Sequence, residues 1–248
     1  MKIRFTILLL LLLFGASSVT AAVGNPVTYE VNGMRYEGYY ADGGGNAPLV
    51  LLIHDWDGLN AYEVKRSEML AELGYSVFAA DLYGAGVRPT SIEKRREQTN
   101  ALYDDRQKMR ALMKGALKAA RSKGANITNA VAMGYCFGGT AVLELARSGS
   151  DLKGFVTFHG ALATPEGQDY SKTKGRVLVF HGSADTSVTM EDFADLAVAM
   201  ESVGLGHEMI TYSGAPHAFT VFGGERYHEE ADKKSWRRFK EFLAKTLK

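Results

Sequence analysis

The sequence predicts an α/β protein in which a mostly parallel central sheet carries helices on both faces. Several short segments, such as PLVLLIH at 48–54, are continuously apolar, which is typical of strands buried on both faces. Amphipathic helical segments follow most of these runs, and buried strands that alternate with helices indicate a parallel sheet. The composition agrees with a globular protein, since 46% of the 248 residues are hydrophobic and 23% are charged.

The predicted elements begin with a hairpin. GNPVTYEV and MRYEGYYA alternate apolar and polar residues around the turn dipeptide NG. Strands and helices then alternate along the rest of the chain. The further strands are predicted at 48–54, 75–84, 130–135, 152–160, 175–182 and 207–214, and the helices at 61–74, 90–124 with a break near 103–106, 138–149, 189–204 and 229–247.

The N-terminus has the layout of a signal peptide. Lys2 and Arg4 give a positive start, and a short apolar run followed by small residues resembles a cleavage site. An uncleaved membrane anchor is the alternative, but the run is shorter than the roughly 20 residues that span a bilayer. We therefore expect a signal peptide at 1–22, one domain at 23–248, and a periplasmic or secreted protein without a stable membrane anchor.

The only cysteine of the chain lies at a glycine-rich corner between a predicted strand and a predicted helix. Gly134, Cys136 and Gly138 form the pattern G-x-C-x-G, which has the form of a nucleophile elbow with sulfur in place of the serine oxygen. A helix N-terminus just beyond the cysteine is expected to lower the thiol pKa and favour the thiolate. The alternative is an inert cysteine buried at a turn.

An acid and a histidine follow the cysteine in loops after two later strands. Asp185 follows VLVFHG and His217 lies in SGAPHAFT, and nucleophile, acid and histidine is the chain order of α/β-hydrolases. Asp185 could instead cap the helix near Thr189, and His217 could be an ordinary loop histidine. Three such residues at three strand ends favour a triad, in which Cys136 attacks an acyl carbon, His217 moves the proton and Asp185 orients the histidine.

A triad of this kind needs two backbone donors for the oxyanion. The first is expected to be the N–H of Phe137, directly after the nucleophile. The second is expected from the loop after LVLLIH, at Trp56. These positions complete a predicted α/β-hydrolase active site.

From 36 to the C-terminus the sequence resembles the dienelactone hydrolase (carboxymethylenebutenolidase) family. The resemblance is carried by HDWDGLN, LAELGYSVFAADLYG, GYCFGG, FHGALATP, HGSADTSV and GAPHAFT. It implies the α/β-hydrolase fold, hydrolysis of an ester or lactone through a thioester, and a triad of Cys136, Asp185 and His217 that needs no cofactor. It also implies that Asp55, where the family commonly has glutamate, contacts the resting nucleophile.

The HDWDG segment has other interpretations. It could be a polar loop, or His54, Asp55 and Asp57 could bind a metal ion, which requires the three side chains to converge. Asp55 is one methylene shorter than glutamate, so its contact with the thiol could be looser, or Asp57 could make the contact instead. We expect no metal site.

The substrate pocket is less well defined by the sequence. Tyr83 and His159 end strands and are candidate pocket residues, although a packed structural role also fits His159. The family holds a substrate carboxylate with two arginines, for which Arg96 is a candidate, yet it also fits a solvated helical charge. HAFTVFGG offers no second arginine after His217. The sequence therefore predicts that neutral esters or lactones are better substrates than carboxylated ones.

The overall charge argues against several other functions. A net charge of +1 without a basic face gives no sign of nucleic-acid binding, and the expected partner is a small ester or lactone. The alternatives to an enzyme are a non-catalytic binding protein on the same fold and a thiol redox sensor. A complete set of triad residues disfavours the first, and the lack of a second cysteine to resolve a sulfenic acid disfavours the second.

Overall fold

The computed structural model describes residues 24–247, so the predicted signal peptide at 1–22 lies outside the described residues. Strands and helices alternate within this range as predicted. The strands are β1 (Asn25–Val31), β2 (Met34–Ala41), β3 (Pro48–Ile53), β4 (Ser76–Ala80), β5 (Asn126–Tyr135), β6 (Gly154–Phe158), β7 (Arg176–Gly182) and β8 (His207–Tyr212). The helices are α1 (Ala61–Ala71), α2 (Ile92–Asp104), α3 (Arg106–Ser122), α4 (Phe137–Arg147), α5 (Met190–Glu201) and α6 (Glu229–Thr246).

The strands form one twisted sheet in the order β1-β2-β4-β3-β5-β6-β7-β8. The β1–β2 hairpin is antiparallel and joins β4 in antiparallel register. From β4 to β8 every neighbouring pair is parallel. The mostly parallel sheet is therefore confirmed, with the hairpin as its one antiparallel edge among the described residues.

Helices cover both faces of this sheet, as the apolar strands predict. Side chains alternate between the faces: Leu49 and Leu51 of β3 join a core with α3, α4 and α5, whereas Val50 and Leu52 join a core with α1 and α6. Both cores are closed to water, since all four of these side chains have no exposed surface. In the part of the chain that the structure describes, no helix has the length and apolarity needed to cross a bilayer.

The long helical stretch predicted at 90–124 is interrupted at one residue. Asp105 ends α2 and begins α3, with a φ of −116° that leaves the helical region. Its carboxylate accepts a hydrogen bond from Lys108 N at 2.8 Å, so the second helix is capped where the first one stops. The predicted break near 103–106 is confirmed.

Strand register brings the predicted site residues to one edge of the sheet. Ile53 of β3 lies beside Gly134 of β5, and Tyr135 lies beside Phe158 of β6. The residues that follow β3, β5 and β6 are therefore neighbours, and the loops after β7 and β8 continue the row. In parallel sheets this carboxyl edge is where ligands bind.

The first turn of α1 ties the helix to the loop after β3. Glu63 is fully buried, and its carboxyl group accepts hydrogen bonds from Asp55 N at 3.2 Å and Asn60 N at 3.0 Å. Burial raises the pKa of Glu63 to about 8. The nearby Asp55 carboxylate also raises this pKa, whereas the two N–H donors lower it. The native protein therefore keeps a proton here at neutral pH.

We expect this proton to make stability depend on pH. A carboxyl whose pKa is raised on folding stabilises the protein below its unfolded pKa, and this stability is lost as pH rises through the folded value. Between pH 6 and pH 8 the free energy of unfolding should fall by about 2 kcal/mol, and Glu63→Gln should flatten that slope. Urea unfolding across this range measures it, with Glu72→Gln at the exposed C-terminal cap of α1 as control. An unchanged slope in Glu63→Gln would contradict the assignment.

Candidate active site

The corner at Cys136 is a strained turn between β5 and α4. Cys136 has a φ of 49°, in the region that non-glycine residues rarely adopt. The neighbouring glycines permit this turn because a Cβ at Gly134 would lie 2.3 Å from a backbone atom of Gly138, and one at Gly138 would lie 2.3 Å from Ile53 O. The backbone N–H of Cys136 donates to Phe158 O at 3.0 Å, which anchors the corner to β6.

Three side chains from separate loops form one hydrogen-bonded series at this corner. His217 Nε2 lies 3.2 Å from Cys136 Sγ, and His217 Nδ1 lies 2.7 Å from Asp185 Oδ2. The other carboxylate oxygen, Asp185 Oδ1, accepts the backbone N–H groups of Ser187 and Val188. Burial opposes the charge of Asp185, but the hydrogen bond to His217 and these N–H donors outweigh it and lower the Asp185 pKa.

A second acid, Asp55, lies beside the nucleophile. The Asp55 side chain is buried, and its charge and a hydrogen bond act on the Cys136 thiol. Its Oδ1 also accepts the backbone N–H of Trp56. Burial, together with the neighbouring Asp57 carboxylate, raises the pKa of Asp55 to about 6. Asp55 thus contacts the thiol directly, and Asp57 instead lies 3.7 Å from Arg95.

The thiol itself differs from the sequence-based expectation. Burial raises the pKa of Cys136 well above its ordinary value, and the charge and hydrogen bond of Asp55 raise it further. The Phe137 N–H and the Arg226 charge act in the opposite direction without overcoming these effects. The expectation of a low thiol pKa from the helix N-terminus is therefore wrong for the resting site, because burial and an adjacent carboxylate outweigh the dipole.

We expect Asp55→Asn to speed the alkylation of Cys136. Removing the carboxylate lowers the cost of forming the thiolate, which is the species that iodoacetamide attacks. At pH 7 the labelling rate, followed by mass spectrometry, should rise at least several-fold. Asp57→Asn is the matched control because that carboxylate pairs with Arg95. Slower labelling in Asp55→Asn would show that Asp55 acts as a base toward the thiol rather than suppressing its ionisation.

A cavity of about 280 Å³ opens beside Cys136. It is lined by the nucleophile, by the histidine, by residues of the loops that carry Asp55 and Asp185, and by two arginines. Its lining residues are Asp55, Trp56, Arg96, Cys136, Ser187, His217, Ala218 and Arg226.

Two arginines line this cavity, whereas the sequence offered only one candidate. Arg96 lines the cavity although it is exposed on α2, and Arg226 reaches the same space from the loop before α6. Neither forms an ion pair with another residue in the range 24–247. Arg226 lies two residues beyond Gly224, the last residue of HAFTVFGG. The sequence GGERYH does contain this arginine, but a loop sequence alone does not predict whether the side chain points toward Cys136 or into solvent.

Two predicted pocket residues lie behind the cavity rather than on its surface. The Tyr83 hydroxyl donates to Trp56 O at 3.0 Å, and its ring packs 5.6 Å from that of Phe137. His159 is fully buried, with Nε2 at 2.8 Å from Thr220 Oγ1 and its ring against that of His217 at 5.4 Å. Both residues pack behind the residues that line the cavity and support them. A residue at a strand end can therefore belong to the packing beneath a site rather than to its surface.

The residues considered for a metal ion do not converge. His54 Nδ1 lies 2.6 Å from Asp55 O, and His54 Nε2 accepts the Leu82 N–H at 3.1 Å, so both ring nitrogens have protein partners. Burial lowers the pKa of His54 to about 4. Among residues 24–247 no group of three or more His, Cys, Asp or Glu side chains is arranged to hold a metal ion.

Comparison with known families identifies similarity along most of the chain. The model of the family described as "Dienelactone hydrolase family" matches residues 37–247. A Synechocystis sp. protein named "Putative carboxymethylenebutenolidase" is 26% identical over 247 residues, covering 90% of this chain and 96% of the relative.

Solved structures agree with this match. The crystal structure of the dienelactone hydrolase-like promiscuous phosphotriesterase P91, from metagenomic libraries, superposes with a TM-score of 0.84 and 27% identity, covering 91% of this chain and 98% of P91. A structure named m3DLH superposes with a TM-score of 0.86 and 30% identity, covering 92% of this chain and all of that one (100%). The α/β-hydrolase fold predicted from the elbow is confirmed by these similarities.

Proposed function

This chain belongs to the dienelactone hydrolase family, whose members hydrolyse ester and lactone bonds, and we propose that it does so with a Cys136–His217–Asp185 triad. The observation that carries the proposal is the hydrogen-bonded series from Cys136 Sγ through the His217 ring to Asp185. The base is within hydrogen-bond distance of both the nucleophile and the orienting acid, which is the geometry that acyl transfer requires.

In the proposed acylation step, His217 Nε2 takes the thiol proton while Cys136 Sγ attacks the carbonyl carbon. The carbonyl π electrons move to oxygen and give a tetrahedral oxyanion. When the carbonyl re-forms, the ester C–O bond breaks, and His217 returns the proton to the departing alkoxide. Asp185 stabilises the imidazolium that exists between these transfers. Water then attacks the Cys136 thioester with His217 as base and releases the acid and the thiol.

The resting contacts of Asp55 suggest how substrate starts this sequence. Asp55 Oδ1 accepts the Trp56 N–H, which is one of the two proposed oxyanion donors. A substrate carbonyl oxygen that takes this donor must displace the carboxylate from it. That displacement also removes the charge that suppresses thiol ionisation, so we propose that binding and activation of Cys136 are coupled.

The charge of the cavity supports an anionic substrate. Arg96 and Arg226 line it without an ion-pair partner among the described residues, and guanidinium groups bind carboxylates through strong paired hydrogen bonds. Asp55 and Asp57 line an adjoining cavity together with Trp56 and Arg226. We therefore propose esters or lactones that carry a carboxylate, oriented with the carboxylate toward the arginines and the scissile carbonyl toward Cys136.

We also propose that the protein is exported. The support is the layout of residues 1–22, with a positive start, an apolar run and small residues before the domain. Expression in its host followed by mass measurement of the periplasmic and extracellular protein tests this proposal. A full-length mass in the cytoplasm would contradict it.

Trapping the covalent intermediate tests the enzymatic proposal. Purified protein mixed with an activated aryl ester should release one equivalent of phenol rapidly and carry one acyl group on Cys136, detected by peptide mass spectrometry. Cys136→Ala should lose both the burst and the adduct. Binding of lactone without turnover would support the non-catalytic alternative, and peroxide-dependent oxidation of Cys136 without hydrolysis would support the redox sensor.

A further inference from the structure

We infer that His54 is a positioning residue that orients the Trp56 N–H toward the oxyanion, acting through the Asp55–Trp56 peptide. The inference rests on the proposed function, because it concerns the transition state of acyl transfer at Cys136. His54 does not reach the cavity. It lies directly after β3, fully buried beneath the loop that carries both residues of this peptide.

The backbone assigns the tautomer of His54. Leu82 N–H can only donate, so the Nε2 atom that it meets at 3.1 Å must carry a lone pair. In a neutral imidazole the proton is then on Nδ1, where the Asp55 carbonyl oxygen lies 2.6 Å away and can only accept. Burial keeps the ring neutral, since it lowers the pKa of His54 to about 4. The ring is thus fixed as a donor toward Asp55 O.

This donation fixes the direction of the neighbouring N–H. The peptide unit is planar and trans, so the Asp55 C=O and the Trp56 N–H point in opposite directions. Asp55 O accepts from His54 Nδ1 and also from Gly58 N at 3.2 Å. A carbonyl held from two sides cannot rotate, and the N–H on the other side of the same plane is held with it.

The held N–H already points at negative charge. Trp56 N–H donates to Asp55 Oδ1, and this carboxylate also contacts the Cys136 thiol. The carboxylate oxygen therefore stands in for the oxyanion of the transition state. The His54 ring packs against the ring of Phe137, with 5.8 Å between the ring centroids. The backbone N–H of Phe137 is the other proposed oxyanion donor. One buried ring thus supports both sides of the oxyanion site.

Two substitutions separate the two hydrogen bonds of the ring. The amide nitrogen of His54→Asn can reach the Nδ1 position and keep the donation to Asp55 O. The amide oxygen of His54→Gln can reach the Nε2 position and keep only the acceptor for Leu82 N–H. Deleting one oxyanion donor costs roughly a hundredfold or more in turnover. Freeing a donor to rotate should cost less, so we expect kcat to fall roughly 10- to 100-fold in His54→Gln and only a few-fold in His54→Asn.

A second readout excludes a merely structural effect. Alkylation of Cys136 by iodoacetamide forms no oxyanion, so its rate should match wild type in both variants while ester hydrolysis falls in His54→Gln. His207→Gln is the matched control, because His207 Nδ1 also lies against a backbone carbonyl, Leu205 O at 2.8 Å, outside the site. Equal losses of hydrolysis in both His54 variants, or alkylation that falls in parallel with hydrolysis, would overturn the inference.

Wild-type protein provides a test that does not depend on the folding of a variant. Long-range proton–nitrogen NMR of ¹⁵N-labelled protein should show His54 as the neutral Nδ1–H tautomer from pH 8 down to about pH 5, above its pKa of about 4. An Nε2–H tautomer or an imidazolium at pH 7 would overturn the inference. Absence of hydrolysis by wild type, with the Nδ1–H tautomer present, would instead reject the proposed function.

Discussion

Replacing His217 with alanine is expected to lower kcat by about a thousandfold or more while the protein stays folded. His217 lies between Cys136 Sγ and Asp185 Oδ2, so its loss removes both proton transfers and leaves the raised-pKa thiol without a base. Asp185→Asn should cause a smaller but still large loss, because the imidazolium loses its charge partner. Steady-state hydrolysis of an aryl ester measures both.

The control for this experiment is His207→Ala. His207 is the first residue of β8, the strand that precedes the loop carrying His217. It makes the same chemical change away from Cys136 and should retain wild-type kcat. Thermal unfolding of each variant confirms that the fold persists. Near wild-type turnover in folded His217→Ala would remove this residue from the mechanism.

Removal of Arg226 is expected to change substrate preference more than turnover. For a carboxylated lactone, kcat/KM should fall about a hundredfold, because a charged hydrogen-bonding partner worth about 2.7 kcal/mol is lost in the transition state. For a neutral lactone of similar size, kcat/KM should change little. Arg96→Ala should show the same pattern, since Arg96 lines the same cavity and is exposed like Arg226.

Arg237→Ala provides the matched control, because it removes the same charge from an exposed position on α6. It should leave both substrates unaffected, which separates a local carboxylate contact from a change in net charge. If the ratio of the two kcat/KM values is the same in wild type and in Arg226→Ala, the carboxylate contact is absent. The proposal of a carboxylated substrate would then be rejected, and the neutral preference expected from the sequence would stand.

The fold could be predicted almost completely from local sequence patterns. PLVLLIH at 48–54 is apolar on both faces because both faces are buried, and the break at Asp105 follows from a capping residue inside a helical stretch. The sharp turn at Cys136 could also be predicted from Gly134 and Gly138, since only glycine allows the close backbone approach found there. These features depend on residues close in sequence, where periodicity and turn chemistry act directly.

The triad was predictable in its members, but neither the electrostatics of the site nor the full lining of its cavity was. Cys136, Asp185 and His217 follow different strands, and the chain order of these residue types was sufficient to group them. The thiol pKa was predicted in the wrong direction because a helix N-terminus is visible in a sequence, whereas burial and the approach of Asp55 are not. The sequence-based prediction therefore included the dipole of α4, which lowers the thiol pKa, but not the burial of the thiol, which raises it.

The sequence by itself determined the strands, the helices, the family and the residues that could react. The tertiary structure decided which of them share one cavity: it brought Arg226 to Cys136, and it placed Tyr83 and His159 behind the wall. It also fixed the proton of His54 on Nδ1. The physical reason is range, because secondary structure follows from neighbours along the chain, while burial, charge and hydrogen-bond partners depend on residues that only folding brings together.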